Sequence, residues 1–98
     1  MKPVRFLLPA ERELAEAAQF YNRQALGLGD DFLDKITSAV QDIAKAPRRW
    51  PILGSSYIRR RLVHRFPYGL LYRIDPDEIV ILAVMHLNRR PNYWMSRL

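Results

Sequence analysis

An α+β fold is predicted: an antiparallel two-helix hairpin packed on one face of a mainly antiparallel four-stranded sheet, in the order β-α-α-β-β-β. Three observations predict it. A short apolar run opens the chain. Two segments with apolar residues spaced three and four apart then flank a glycine-rich break. Three alternating or wholly apolar runs, separated by turn signals, follow.

Residues 3–8, PVRFLL, read as the first strand. Pro9 suits the first turn of a helix, where its missing N–H costs nothing, and Glu11 and Glu13 sit favourably near the positive end of the helix dipole. Leu14, Ala17, Ala18, Tyr21 and Ala25 recur on one helical face. Gly27 and Gly29 break that helix, and Asp30 or Asp31 is expected to cap the second. Its apolar set is Phe32, Leu33, Ile36, Val40, Ile43 and Ala44, and Pro47 stops it. Residues 48–56, RRWPILGSS, are rich in turn formers and read as a loop.

In residues 57–66, YIRRRLVHRF, alternation predicts Ile58, Leu62 and Phe66 on one face. Arg59, Arg61 and Arg65 fall on the other, with Arg60 and His64 sharing the apolar face near solvent. YGLLYRID is the next strand, DPDE a hairpin turn around Pro76, and EIVILAVMH is apolar on both faces, as a central strand is. The whole chain, 1–98, reads as one domain with no repeat, linker or low-complexity segment.

Composition narrows the function. The absence of cysteine excludes a disulfide framework and thiolate chemistry. The apolar stretch near the start is too short and too soon followed by acids for a signal peptide, so the protein is expected in the cytoplasm, off the membrane. The formal net charge of +6 predicts an acidic partner. All ten acids lie in residues 11–42 and 75–78, so residues 43–74 and 79–98 carry basic residues and no acid. Two histidines without nearby carboxylates make no metal site, and no cofactor or small-molecule substrate is expected.

The stretches AERELAEAAQFY, GLGDDFL, KAPRRWP, RFPYGLLYRI and ILAVMHLNRRPNYW, in that order, resemble the RelE/ParE superfamily of bacterial toxins, and more closely its ParE branch. The resemblance implies the toxin of a type II toxin–antitoxin pair, of the plasmid-stabilisation kind, neutralised by a cognate acidic antitoxin. ParE-like members are described as poisons of DNA gyrase without chemistry of their own. RelE-like members are ribosome-dependent ribonucleases that cut mRNA. A third reading is a toxin fold kept only as an interaction partner.

Residues weigh between them. RelE-like ribonucleases place an arginine just after the tyrosine of a YRLVY-like strand, and here the strand reads Tyr68-Gly69-Leu70-Leu71-Tyr72. Glycine holds no phosphate, which argues against cleavage unless Arg73 or Arg61 projects from nearby. If this is a ribonuclease, His86, Arg89, Arg90 and Tyr93 are its candidates, though His86 at a strand end more often hydrogen-bonds locally.

For target binding, Arg89, Arg90, Tyr93, Trp94 and Arg97 form a basic, aromatic corner stiffened by Pro91. A tryptophan in Trp94's place usually anchors its terminus. The neighbourhood of Tyr21, Phe32 and Ile36, with Arg59, Arg60 and Arg61, is expected to receive the antitoxin, whose disordered segment folds on binding.

Overall fold

The computed structural model describes residues 1–98. In chain order the elements are β1 (Val4–Phe6), α1 (Leu8–Gln24), α2 (Leu28–Lys45), β2 (Arg59–Leu62), β3 (Tyr68–Ile74) and β4 (Ile79–His86), followed by a short 3-10 turn at Met95–Arg97. The sheet order is β1-β4-β3-β2. β1 runs parallel to β4, pairing Val4 with Ile79 and Phe6 with Ile81. The other two pairings are antiparallel, so the sheet is mixed and mainly antiparallel.

The apolar faces of the helices meet the sheet as their periodicity requires. Phe32, Ile36, Ala39 and Ile43 of α2 pack with Ala10, Ala17 and Ala18 of α1 against Leu70, Tyr72, Ile79, Ile81 and Val84. Tyr21, Phe32, Phe66 and Tyr68 close one end of this layer with ring centroids 4.9–6.3 Å apart, mostly edge to face. Ala25 drops out of the predicted stripe: it is the exposed residue where α1 ends.

The second helix begins earlier than predicted and is capped differently. Its N-cap is Gly27 at φ +85°, a conformation glycine adopts without strain, and Asp30 and Asp31 lie in the first turn. The side-chain cap comes from the preceding helix: Gly29 N–H donates to Asn22 Oδ1 at 2.8 Å. Gly29 also lets the helices touch, since a Cβ there would lie 2.2 Å from the Ala18 carbonyl oxygen.

The predicted 57–66 strand is shorter, Arg59–Leu62. Alternation holds through Leu62 and then fails. Arg65 takes φ +74°, the Tyr68 N–H donates to the Phe66 carbonyl, and the chain reverses. Phe66 therefore joins the helix-facing core, whereas Ile58 packs on the opposite face and Leu62 is exposed.

β4 is central, with residues 79–85 all buried. A bulge at Leu82 (Leu71 pairs with Ala83, Tyr72 with Ile81) shifts which of its groups face each neighbour. Ile58, Leu71, Leu82, Ala83 and Met85 lie on the face away from the helices, and the C-terminal segment covers them with Trp94. No helix is long and apolar enough to cross a membrane.

Candidate functional site

Glu13 lies on the apolar stripe of α1, between Ala10 and Ala17, so its carboxylate points at β4 and not at water. β1 ends at Phe6, leaving the β4 edge beyond it without a neighbouring strand. Side chains satisfy that edge. Val84 N–H donates to Glu13 Oε1 at 3.0 Å, and Arg97 Nη1 donates to the Leu82 carbonyl at 3.0 Å. The two side chains also bind each other: Arg97 Nη1 to Oε1 at 2.8 Å and Nη2 to Oε2 at 3.0 Å.

The same carboxylate takes the Tyr93 hydroxyl, which donates to Oε2 at 2.6 Å. Burial pushes the Tyr93 phenol well up, reinforced by the hydrogen bond and charge of Glu13 against the opposing pull of Arg97 and Arg89. The Arg97 guanidinium is raised chiefly by its hydrogen bond to Glu13. Arg89 completes the cluster, 3.8 Å from Glu13 and with its guanidinium 4.0 Å from the centre of the Tyr93 ring. The C-terminal segment is thus tied to the first helix at one carboxylate.

This knot sorts the corner residues. Trp94 is 4% exposed and packs in the second core; Tyr93 is half-buried with its hydroxyl engaged; Arg97 is bound on two sides. Arg89 and Arg90 remain exposed, on a turn closed by the Arg89 N–H to the His86 carbonyl and followed by Asn92 at φ +64°. Arg90 makes no ion pair.

His86 ends β4 with its ring edge-on to Tyr68, centroids 5.1 Å apart. Its Nδ1 accepts the Asn88 N–H at 3.0 Å, an arrangement that places the proton of the neutral ring on Nε2. His86 lines a shallow groove of about 160 Å³ between α1 and β4, with Glu13, Glu16, Phe20, Tyr68 and Arg89. The groove brings together a histidine, an arginine and two carboxylates. No three His, Asp or Glu side chains gather as a metal site would require.

Around Gly69 the cation comes from neither Arg73 nor Arg61. Arg73 pairs with Asp75 at 3.0 Å, and Arg61 with Asp42 at 2.8 Å. Arg60 instead lays its aliphatic stem over Gly69, where a Cβ would sit 3.2 Å from Arg60 Cγ. The glycine makes room for an arginine supplied by the neighbouring strand.

The residues expected to receive an antitoxin separate too. Phe32 and Ile36, 0% and 3% exposed, belong to the core and offer no surface, and Tyr21 is half-buried among aromatics. Their exposed neighbours on the hairpin are Phe20, Leu26 and Leu33. Arg59 donates to the Arg48 and Trp50 carbonyls at 3.0 and 2.7 Å.

Sequence reasoning treated Glu13 only as a partner for the helix dipole. Its signal was there: a carboxylate falling on an otherwise apolar helical stripe, in a chain whose last arginines have no acid near them.

A family model described as "ParE toxin of type II toxin-antitoxin system, parDE" matches residues 4–91. Tyr93, Trp94 and Arg97 lie beyond the matched residues. Among solved structures, the "Chromosomal ParDE TA system from P. aeruginosa" contains a similar chain, with a TM-score of 0.80 and 15% identity. The similarity covers 90% of this chain and 98% of that one. At that identity the likeness is one of fold. No curated protein matches the sequence.

Proposed function

Since this chain belongs to the ParE toxin family of type II toxin–antitoxin systems, we propose that it arrests DNA gyrase by binding, with Arg89 and Arg90 as its contact, and that a cognate acidic antitoxin neutralises it. The observation that carries this reading is the Glu13 knot. It engages Tyr93 and Arg97, and Trp94 is buried beside it, so the corner retains two exposed arginines on a braced turn. A tyrosine held protonated against a carboxylate is a poor proton shuttle, whereas a pair of fixed cations suits gripping a macromolecule. The antitoxin docks along the helix hairpin, where Phe20, Leu26 and Leu33 supply apolar contact.

A second reading, a ribosome-dependent mRNA endoribonuclease, draws support from one observation: His86 and Arg89 share a groove with the carboxylates of Glu13 and Glu16. Purified protein tested in gyrase supercoiling and on translating ribosomes separates the two. Loss of supercoiling without mRNA cuts is expected. Ribosome-dependent cuts with gyrase untouched would overturn the gyrase reading, and silence in both with normal cell growth would leave an interaction protein.

A further inference from the structure

Arg89 and Arg90 are neighbours in the chain and differ in how they are held. The Arg89 guanidinium lies 4.0 Å from the centre of the Tyr93 ring and 3.8 Å from Glu13 Oε2. Arg90 has neither an ion pair nor an aromatic ring against it. The turn produces the difference. The Arg89 N–H donates to the His86 carbonyl at 2.9 Å, and Asn92 at φ +64° turns the chain back so that Tyr93 comes to lie against Arg89. Asparagine is among the few residues that take this left-handed conformation at low cost.

The ring is itself fixed. Its hydroxyl donates to Glu13 Oε2 at 2.6 Å, the Arg97 guanidinium lies 5.0 Å from its centre, and Arg97 is bound twice to Glu13. Arg89 gains its position without using up its donors. At 3.8 Å its nitrogen is beyond hydrogen-bonding distance of Glu13, and Oε2 already accepts closer donors from Tyr93 and Arg97. A guanidinium stacked by one face on a ring keeps its N–H edge for a carboxylate or a phosphate. The side chain is 54% exposed, so that edge is open to a partner. An arginine loose in solvent loses rotamer freedom when it binds, whereas one already stacked has lost it on folding.

We infer that Tyr93 is a positioning residue: its ring holds the Arg89 guanidinium ready for an anionic group of the target, and Arg89 is the contact whose identity matters. The inference rests on the reading of this corner as the toxic contact. Arg90 contributes charge, which a lysine supplies as well.

The test compares Tyr93→Phe with Tyr93→Leu in the purified full chain, reading both gyrase supercoiling and growth arrest in cells. Both variants lose the hydroxyl bond to Glu13, so the ring is what separates them, and circular dichroism establishes that each is folded. Tyr93→Phe should stay within about twofold of the unaltered chain, and Tyr93→Leu should be weaker by roughly threefold or more. Tyr93→Leu should add nothing in an Arg89→Ala background and have its full effect in an Arg90→Ala one. With the tail untouched, Arg89→Lys should lose nearly as much as Arg89→Ala, while Arg90→Lys should stay within about twofold of the unaltered chain. NMR gives a readout independent of the target. The Arg89 Hδ and Hε signals should lie upfield of those of Arg90 through the ring current of Tyr93, and should join them in Tyr93→Leu but not in Tyr93→Phe. Full activity in Tyr93→Leu, equal losses from it in both alanine backgrounds, or coincident Arg89 and Arg90 signals would overturn the inference and leave the gyrase reading standing. Growth arrest with gyrase untouched would overturn the gyrase reading instead, and the same ratios are then read from growth.

Discussion

Arg97 and Glu13, 84 residues apart, join the last turn of the chain to the first helix through two hydrogen bonds of 2.8 and 3.0 Å. Together they also satisfy two backbone groups of β4, the Val84 N–H and the Leu82 carbonyl, where β1 no longer runs beside it. An ion pair here does the work of a strand. An edge left open at that point would invite pairing with another chain.

Glu13→Ala should therefore be among the most damaging single changes. Both side chains are largely buried, at 13% and 16% exposure, so removing the acid strands a cation and a backbone donor. The expected loss is about 3 kcal/mol or more, read from urea denaturation, with tail amides gaining hydrogen-exchange rate. A loss below about 0.5 kcal/mol, the size of a surface substitution, would mean that the knot is ornamental.

Replacing Arg89 and Arg90 together with alanine should abolish toxicity and gyrase inhibition while leaving antitoxin binding unaltered. Both are exposed, and Arg89 reaches Glu13 only at 3.8 Å, so stability should fall by less than about 1 kcal/mol. Toxicity that survives in cells would move the contact elsewhere.

At the helix crossing, Gly29→Ala should unfold the hairpin or cost on the order of 3 kcal/mol, because the new methyl would meet the Ala18 carbonyl oxygen at 2.2 Å. Asn22→Ala, which removes only the cap on the Gly29 N–H, should cost about 1 kcal/mol. A Gly29→Ala protein with unchanged thermal stability would show that the helices pack at a greater distance.

Gly69 and Arg60 should behave as a coupled pair. Gly69→Arg places a side chain where the Arg60 stem already lies and should cost about 1–3 kcal/mol. Adding Arg60→Ala should recover much of that loss, so a double-mutant cycle should give a coupling of at least about 0.5 kcal/mol. Additive losses would show that Arg60 does not occupy the space above the glycine.

Alkaline pH should weaken the fold through Tyr72. Burial pushes this phenol up to about 12, and its hydroxyl donates to the Pro47 carbonyl at 2.6 Å. Because the folded pKa exceeds the unfolded value near 10, the contribution is whole below about pH 10. It falls away as pH rises through the folded value. Tyr72→Phe should cost about 1 kcal/mol at neutral pH and flatten the fall in urea midpoint above about pH 10. An unchanged fall would assign it to other groups, such as the raised phenol of Tyr93.

Helix and strand order came through in the sequence because they rest on local periodicity. The stripe Leu14, Ala17, Ala18 and Tyr21, the stop at Pro47 and the all-apolar run of β4 each signal within a few residues. Errors appeared where a distant side chain or a backbone conformation that residue type does not signal decided the outcome. Asn22 capped α2 in place of Asp30 or Asp31, and the turn through Arg65 carried Phe66 to the other side of the sheet.

The amino-acid sequence by itself determined the α+β architecture, the basic C-terminal half and the family resemblance, since these depend on residue type and short-range order. Tertiary structure alone decided how HLNRRPNYWMSRL divides: Trp94 covers the second core, Tyr93 and Arg97 bind Glu13, and Arg89 and Arg90 stay outside. The Glu13 contacts that engage Tyr93 and Arg97 span 80 and 84 residues. A carboxylate on a helix meets whichever cations the fold brings beside it, and no local spacing records which those are.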